Sequence, residues 1–238
     1  MKIVTTHRST APELMDDFSM EGEILTDALD KIAAINKLLG GNKVTLTGIE
    51  TLLKNFEPTT KIRITDVGCG NGAMLRMLAD YANRKGLVFD LMGVDANKAT
   101  IEHAQSLSVA YPNISYECRD IFADEEKTEC DIMLFTLTLH HFSDSEIINL
   151  FKNLKKTVRV GIVINDLERS AVAYRLFTLL SYVFKLNAMS REDGLVSILR
   201  GFKKSDFLRY EKELNISTAH IQWKWAFRYL WIINRSWA

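Results

Sequence analysis

The chain has 238 residues, 47% hydrophobic and 25% charged, a globular balance that excludes a disordered segment or a coiled coil and suits one large domain. Thirty Lys and Arg against 30 Asp and Glu give a formal net charge of zero, so the broad cationic surface of a general nucleic-acid binder is not expected. Cys69, Cys118 and Cys130 are too few and too scattered for a disulfide framework or a cysteine-based zinc site.

Met1–Asp17 lacks a secretory signal pattern. The most apolar run, Tyr174–Leu186, carries Arg175 and Lys185 and is too short to span a bilayer. These features lead us to expect a cytoplasmic protein with reduced thiols and no membrane span.

From Pro12 to Leu39, Ile24, Ala28, Ile32 and Ile35 fall three or four apart, which predicts a helix ended by Gly40-Gly41. Thr47 reads as the N-cap of a short helix over Gly48–Asn55. After Pro58 short apolar runs alternate with helical patterns. Strands are predicted over Lys61–Val67, Leu87–Val94, Ile114–Cys118, Asp131–Thr136 and Val158–Ile164. Helices are predicted over Ala73–Lys85, Lys98–Ser108 and Asp144–Thr157. This alternation implies an α/β fold with a mostly parallel, doubly wound sheet covered on both faces. At the end Trp223, Trp225, Phe227, Tyr229 and Trp231 recur at period two, predicting one final strand with an aromatic face.

The informative segment is Asp66-Val-Gly-Cys-Gly-Asn-Gly72, directly after a strand and before a helix. Glycines there permit a sharp turn and close approach of a ligand to the backbone. A dinucleotide would bring a pyrophosphate to this helix start, where a carboxylate repels it. A ligand with a sulfonium and an ammonium is instead attracted to Asp66. Asp95, at the end of the second strand, can accept both hydroxyls of a ribose, and a nicotinamide enzyme would use the same group. Asp120, after the third strand, can accept from an adenine amino group while Ile121 and Phe122 pack on the ring. Three acids in order at strand ends mark the ligand edge of an open parallel sheet.

With these residues, the Val94-Asp95 strand end and the stretch Asp131-Ile-Met-Leu-Phe-Thr-Leu-Thr-Leu-His-His-Phe142, the chain resembles the class I S-adenosylmethionine-dependent methyltransferases from about Lys61 to Ile164. The resemblance implies a Rossmann-like sheet of seven strands with an antiparallel final strand, and S-adenosylmethionine as cofactor. By it, Asp66, Gly68 and Gly70 hold the methionine end, and Asp95 with Ala96 the ribose. Asp120 and Ile121 frame adenine, and Phe135 and Thr136 make backbone contacts. We expect a single domain with a helical cap at 1–57, a cofactor core at 58–166, a lid at 167–210 and the last strands at 211–238. Glu13–Asp17, Asn36–Gly41, Asn165–Ser170 and Asp193–Ser197 are also similar to segments of small bacterial methyltransferases of polyketide-type phenols or quinones.

Methyl transfer from a sulfonium needs alignment and water exclusion rather than a metal. A hydroxyl acceptor also needs a base. His140 and His141 follow the fourth strand, and His140 is the favoured base, with a purely structural role as the alternative. Asp166 either orients a histidine, binds an acceptor hydroxyl, acts as the base, or pairs with Arg169. His7, His103 and His220 are isolated and read as non-catalytic. The long stretch Ser170–Tyr210 predicts an aromatic helix closing an acceptor pocket with the N-terminal helices, with ordinary helix packing or a dimer interface as the alternative. The expected activity is phenolic O-methylation of a small aromatic or lipophilic molecule by a monomer or homodimer. C-methylation of a quinol ring, non-catalytic cofactor binding and a nicotinamide-dependent oxidoreductase are the alternatives.

Overall fold

In a computed structural model, which describes residues 3–122 and 129–235, seven strands form one sheet in the order β3-β2-β1-β4-β5-β7-β6. The strands are β1 Lys61–Val67, β2 Val88–Asp95, β3 Ile114–Cys118, β4 Cys130–Thr136, β5 Val158–Leu167, β6 Ala219–Lys224 and β7 Arg228–Asn234. β1 to β5 pair in parallel, and β7 runs antiparallel to both β5 and β6. The helices are α1 Glu23–Leu38, α2 Gly41–Leu52, α3 Ala73–Lys85, α4 Lys98–Leu107, α5 Asp144–Leu154, α6 Ala171–Val183, α7 Ala188–Arg200 and α8 Lys204–Leu214. The strand order reverses between β1 and β4, the place where open sheets of this kind bind ligands. Among the described residues no helix is long and apolar enough to cross a membrane.

Strand alternation builds the two cores. Along β4, Ile132 and Leu134 join α2 and α3 on one face, while Met133 and Phe135 join α5 and α8 on the other. β7 repeats the pattern, sending Leu230 and Ile232 one way and Tyr229, Trp231 and Ile233 the other. The central strands are apolar throughout because both faces are covered.

Four expectations change. The helix predicted over Pro12–Leu39 is a 3₁₀ turn, Leu14–Asp16, followed by α1, which starts after Gly22 at φ 89°. The short helix predicted over Gly48–Asn55 begins at Gly41. Thr47 is therefore inside α2, where its hydroxyl donates to the Lys43 carbonyl at 2.9 Å instead of capping. The fifth strand runs past Ile164 to Leu167, because Asn165, Asp166 and Leu167 pair with Leu230, Tyr229 and Arg228. The single aromatic strand is a hairpin. Trp223 lies in β6, which ends at Lys224, Trp225 and Phe227 lie in the turn, and of these aromatics only Tyr229 and Trp231 enter the core.

Candidate active site

The sheet's carboxyl edge opens into a cavity of about 970 Å³. Asp66, one residue before the end of β1, lines it at 2% exposure, and its Oδ1 has no hydrogen-bond partner among the described residues. Burial, reinforced by the nearby Asp95 charge, pushes its carboxyl up to about 8. Gly68 and Gly70 take φ of 67° and 51°, a region that favours glycine. A Cβ on Gly68 would meet the Thr138 side chain at 2.5 Å, whereas one on Gly70 would meet only Leu29, at 3.7 Å. The turn is thus packed below and open above.

Asp95 ends β2, where its two oxygens accept from the Gly70 N–H at 3.2 Å and the Asn97 N–H at 3.1 Å. Burial raises its pKa, and these backbone donors only partly offset the shift. Ala96 lies beside it on the cavity wall. Asp120 and Ile121 line the cavity too, Asp120 accepting from the Phe122 N–H at 2.9 Å. Phe122 meets Phe142 edge-on, with centroids 4.7 Å apart. Thr136 faces the cavity. The Phe135 side chain does not: it is fully buried and stacks on Phe151 at 6.1 Å, since strand alternation turns it to the other face.

His140 lies in a 3₁₀ turn, Leu139–His141, after β4 and is 3% exposed. Its Nδ1 lies 2.7 Å from Asp166 Oδ1, and its backbone N–H donates to Asp166 Oδ2 at 3.1 Å. Asp166 is fully buried beneath it. Burial alone would raise Asp166, but the His140 charge and hydrogen bonds from His140 and the Leu167 N–H hold it below the usual carboxylate range. With Nδ1 donating to Asp166, the lone pair sits on Nε2, which makes no hydrogen bond among the described residues, and His140 lines the cavity. The alternative pairing of Asp166 with Arg169 does not form. Arg169 instead bonds Asp206, at 3.1 Å, and backbone carbonyls.

Glu13 is a site residue that sequence reasoning missed. Its Oε1, also without a hydrogen bond, lies 3.7 Å from His140 Nε2, while its Oε2 accepts from Ser197 at 2.7 Å. Burial pushes Glu13 up to about 7, despite His141 and Arg200 nearby. The 3₁₀ turn that carries Glu13's neighbours is tied down by Asp193 of α7, which accepts from the N–H groups of Leu14 at 2.7 Å and Met15 at 2.9 Å. The histidine loop is clamped from behind by two guanidinium groups. Arg8 donates to the carbonyls of His140 and Phe142, and Arg200 to those of His140 and His141. Glu13, His140 and His141 bring one potential ligand atom each within 4.8 Å. Two features compete with a cation there: Asp16 holds His141 Nδ1 at 2.7 Å, and Arg200 Nη1 lies 3.8 Å from Glu13 Oε1.

One side of the cavity is apolar. α6 turns Leu176, Phe177, Leu180 and Val183 into the cavity opposite Leu25, Leu29 and Ile32 of α1. α6 and α7 pack closely, because a Cβ on Gly194 would meet the Phe177 ring at 2.3 Å. Phe207 and Tyr210 of α8, within the stretch expected as a lid at 167–210, belong to the core beneath β7. Opposite α6, the β6–β7 turn supplies Trp225, Phe227 and the buried Arg228.

Strand order, glycine turn and edge acids define a class I methyltransferase fold. Residues 64–161 match the family model described as a methyltransferase domain. A probable scoulerine-9-O-methyltransferase of Papaver somniferum is 25% identical over 167 residues, 68% of this chain and 40% of that protein. A cephaeline 6'-O-methyltransferase of Carapichea ipecacuanha is 30% identical over 98 residues, 41% of this chain and 25% of that protein. The chain thus spans less than half the length of these curated relatives. Among solved structures, the plantazolicin methyltransferase BpumL with a pentazolic desmethyl analog and SAH (S-adenosylhomocysteine) matches at TM-score 0.64 and 18% identity, over 86% of this chain and 90% of that one. Magnesium protoporphyrin IX methyltransferase from Synechocystis with bound SAM matches at TM-score 0.56 and 13% identity, over 93% and 89%. Residues 64–161 thus match a methyltransferase domain, and the chain shares its fold with these solved methyltransferases.

Proposed function

We propose that the chain transfers a methyl group from S-adenosylmethionine to the hydroxyl of a small, aromatic or lipophilic acceptor. One observation supports the reading: His140, backed by the buried Asp166, lines the same cavity as Asp66, Asp95 and Asp120. The residues fit the cofactor. A buried, unpartnered Asp66 oxygen suits a cationic ligand, and the clearance above Gly70 leaves room for it. Asp95 and Asp120 line the same cavity and are the carboxylates available to ribose and adenine. When bound, the cofactor supplies an electrophilic methyl group on a sulfonium whose leaving group is a neutral thioether.

The chain's own part is alignment, dryness and one proton. The turn bearing Leu14–Asp16 closes one side of the cavity and α6 the other, so the acceptor is held among apolar side chains. Nε2 of His140 takes the acceptor's hydroxyl proton, a role that typically contributes about 10²–10⁴-fold. Asp166 fixes the tautomer and stabilises the imidazolium. Glu13 Oε1, 3.7 Å from Nε2, adds a second carboxylate beside the new charge. An oxygen at about 2.8 Å from both atoms fits that separation.

The names of the two plant relatives, both O-methyltransferases, support the hydroxyl as acceptor. Fold neighbours also include carbon methyltransferases, CurJ and the citrinin synthase CMeT domain, so transfer to a quinol ring carbon is the second reading. The test is a panel of alkylated phenols, catechols and quinols offered with methyl-labelled cofactor, with products located by mass spectrometry. An O-linked label is expected. A ring-carbon label would replace the hydroxyl reading with the second, and SAH binding without turnover on any member would remove catalysis.

A further inference from the structure

Arg228 lines the cavity wall and has no part in the proposed methyl transfer. It begins β7, is 2% exposed, and makes a single side-chain hydrogen bond among the described residues, from Nη1 to Asn36 Oδ1 at 2.8 Å. Its Nε has no partner, and no carboxylate oxygen of the described residues lies within ion-pair distance of it. The nearest charge acting on it is Asp166, already bonded to His140 and to two backbone N–H groups. A guanidinium stripped of water with only a neutral amide as partner is costly, and removing such a charge commonly stabilises a fold.

The surroundings are built to keep it there. Gly41 has no side chain because a Cβ would meet Asn36 Oδ1 at 1.8 Å and Arg228 Nη1 at 2.3 Å. Asn36 in turn donates to Asn42 Oδ1 at 2.6 Å, locking the amide that faces the arginine. α2 starts at this point with no side-chain cap on its N-terminal N–H groups, so its dipole adds positive potential. Trp225 and Phe227 stand next to Arg228 on the cavity wall, with ring centroids 5.7 Å apart. An aryl ring with an anionic oxygen matches this arrangement: the ring against the aromatics, the oxygen against the guanidinium.

We infer that Arg228, positioned by Asn36, forms an anion subsite that selects acceptors carrying a carboxylate or phenolate oxygen. The inference deepens the proposed function and rests on it for the word acceptor. The same chemistry has a second source, the methionine carboxylate of the cofactor, and the experiment separates the two.

Calorimetry with 1-naphthoate and its neutral methyl ester, each with and without saturating SAH, reads the preference for the anion. SAH itself is titrated as a separate arm. Naphthoate should bind at least about tenfold tighter than the ester. Arg228→Gln should abolish that preference, Arg228→Lys should retain part of it, and both should bind SAH within about twofold of the parent. The thermal midpoint of Arg228→Gln, equal to or above that of the parent, checks that the fold survives. Equal binding of naphthoate and ester to the parent protein would overturn the subsite. So would a tenfold loss of SAH affinity in Arg228→Gln, which would assign the arginine to the cofactor. Failure of the parent to bind SAH at all would instead count against the proposed function, while the naphthoate preference measured without SAH still decides the subsite.

Discussion

Asp66→Asn removes one negative charge at nearly constant shape, and the structure gives opposite signs for its effects on ligand affinity and on stability. Opposite unit charges about 4 Å apart attract by about 4 kcal/mol at an effective dielectric near 20. With Asp66 pushed up to about 8, ionising it at pH 7 costs about 1.4 kcal/mol. The difference, roughly 2–3 kcal/mol, is about a hundredfold in affinity for a ligand whose ammonium sits beside Asp66, a group that SAH and S-adenosylmethionine share. Because binding then requires losing a proton, the parent's affinity should rise by up to about tenfold per pH unit between pH 6 and 7.5, while the variant's stays flat. Stability behaves the other way. Unfolded aspartate titrates near 3.9, so between about 4 and 8 the folded state holds the extra proton and stability falls as pH rises, by about 1.4 kcal/mol per unit from this group. Asp66→Asn removes that slope and should be the more stable protein at pH 8. The assays are SAH calorimetry and urea unfolding across this pH range. A variant that binds SAH within threefold of the parent, with an unchanged pH slope, would refute the reasoning.

Three further outcomes follow from the same geometry. His140→Ala should lower turnover on a hydroxyl acceptor by about 10²–10⁴-fold with SAH affinity within twofold, and Asp166→Asn should act in the same direction by releasing the tautomer; steady-state kinetics with calorimetry checks both. Glu13, raised to about 7, is protonated in the folded state below that pH and ionised in the unfolded chain above about 4.3, so its contribution to stability declines over that window. Glu13→Gln should flatten that part of a urea-denaturation pH profile. Gly48→Ala should destabilise by about 1–3 kcal/mol in urea unfolding, because the new methyl would lie 2.4 Å from Val163 Cγ1.

The cofactor edge was legible because its signals are local. Asp66, the glycines, Asp95 and Asp120 each sit within a few residues of a strand end, and period and punctuation locate strand ends well. The β1–α3 unit lies where the pattern put it, and the seven strands include the five predicted between Lys61 and Ile164. Terminal regions were harder for identifiable reasons. α2 opens with Gly41 and Asn42, weak helix formers, and is held by burial of Val44, Ile49 and Leu52 against the sheet. The aromatic stripe has the period of a strand, and nothing in its composition distinguishes one strand from two that meet at Trp225–Phe227. Glu13 and Arg228 join the site from the two ends of the chain. Their partners, His140 and Asn36, are more than a hundred positions away, and no spacing rule reaches that far. Asp166 was identified as a residue of interest, but its choice of His140 over Arg169 depends on the register of β5 against β7.

Everything about the reaction depends on the acidic, glycine-lined edge preferring a positively charged sulfur nucleoside to a pyrophosphate. Equilibrium dialysis of the purified protein against labelled S-adenosylmethionine and, separately, NADH measures that preference directly. The account predicts saturable retention of S-adenosylmethionine that unlabelled SAH displaces, and no retention of NADH. Retention of NADH without S-adenosylmethionine would contradict it.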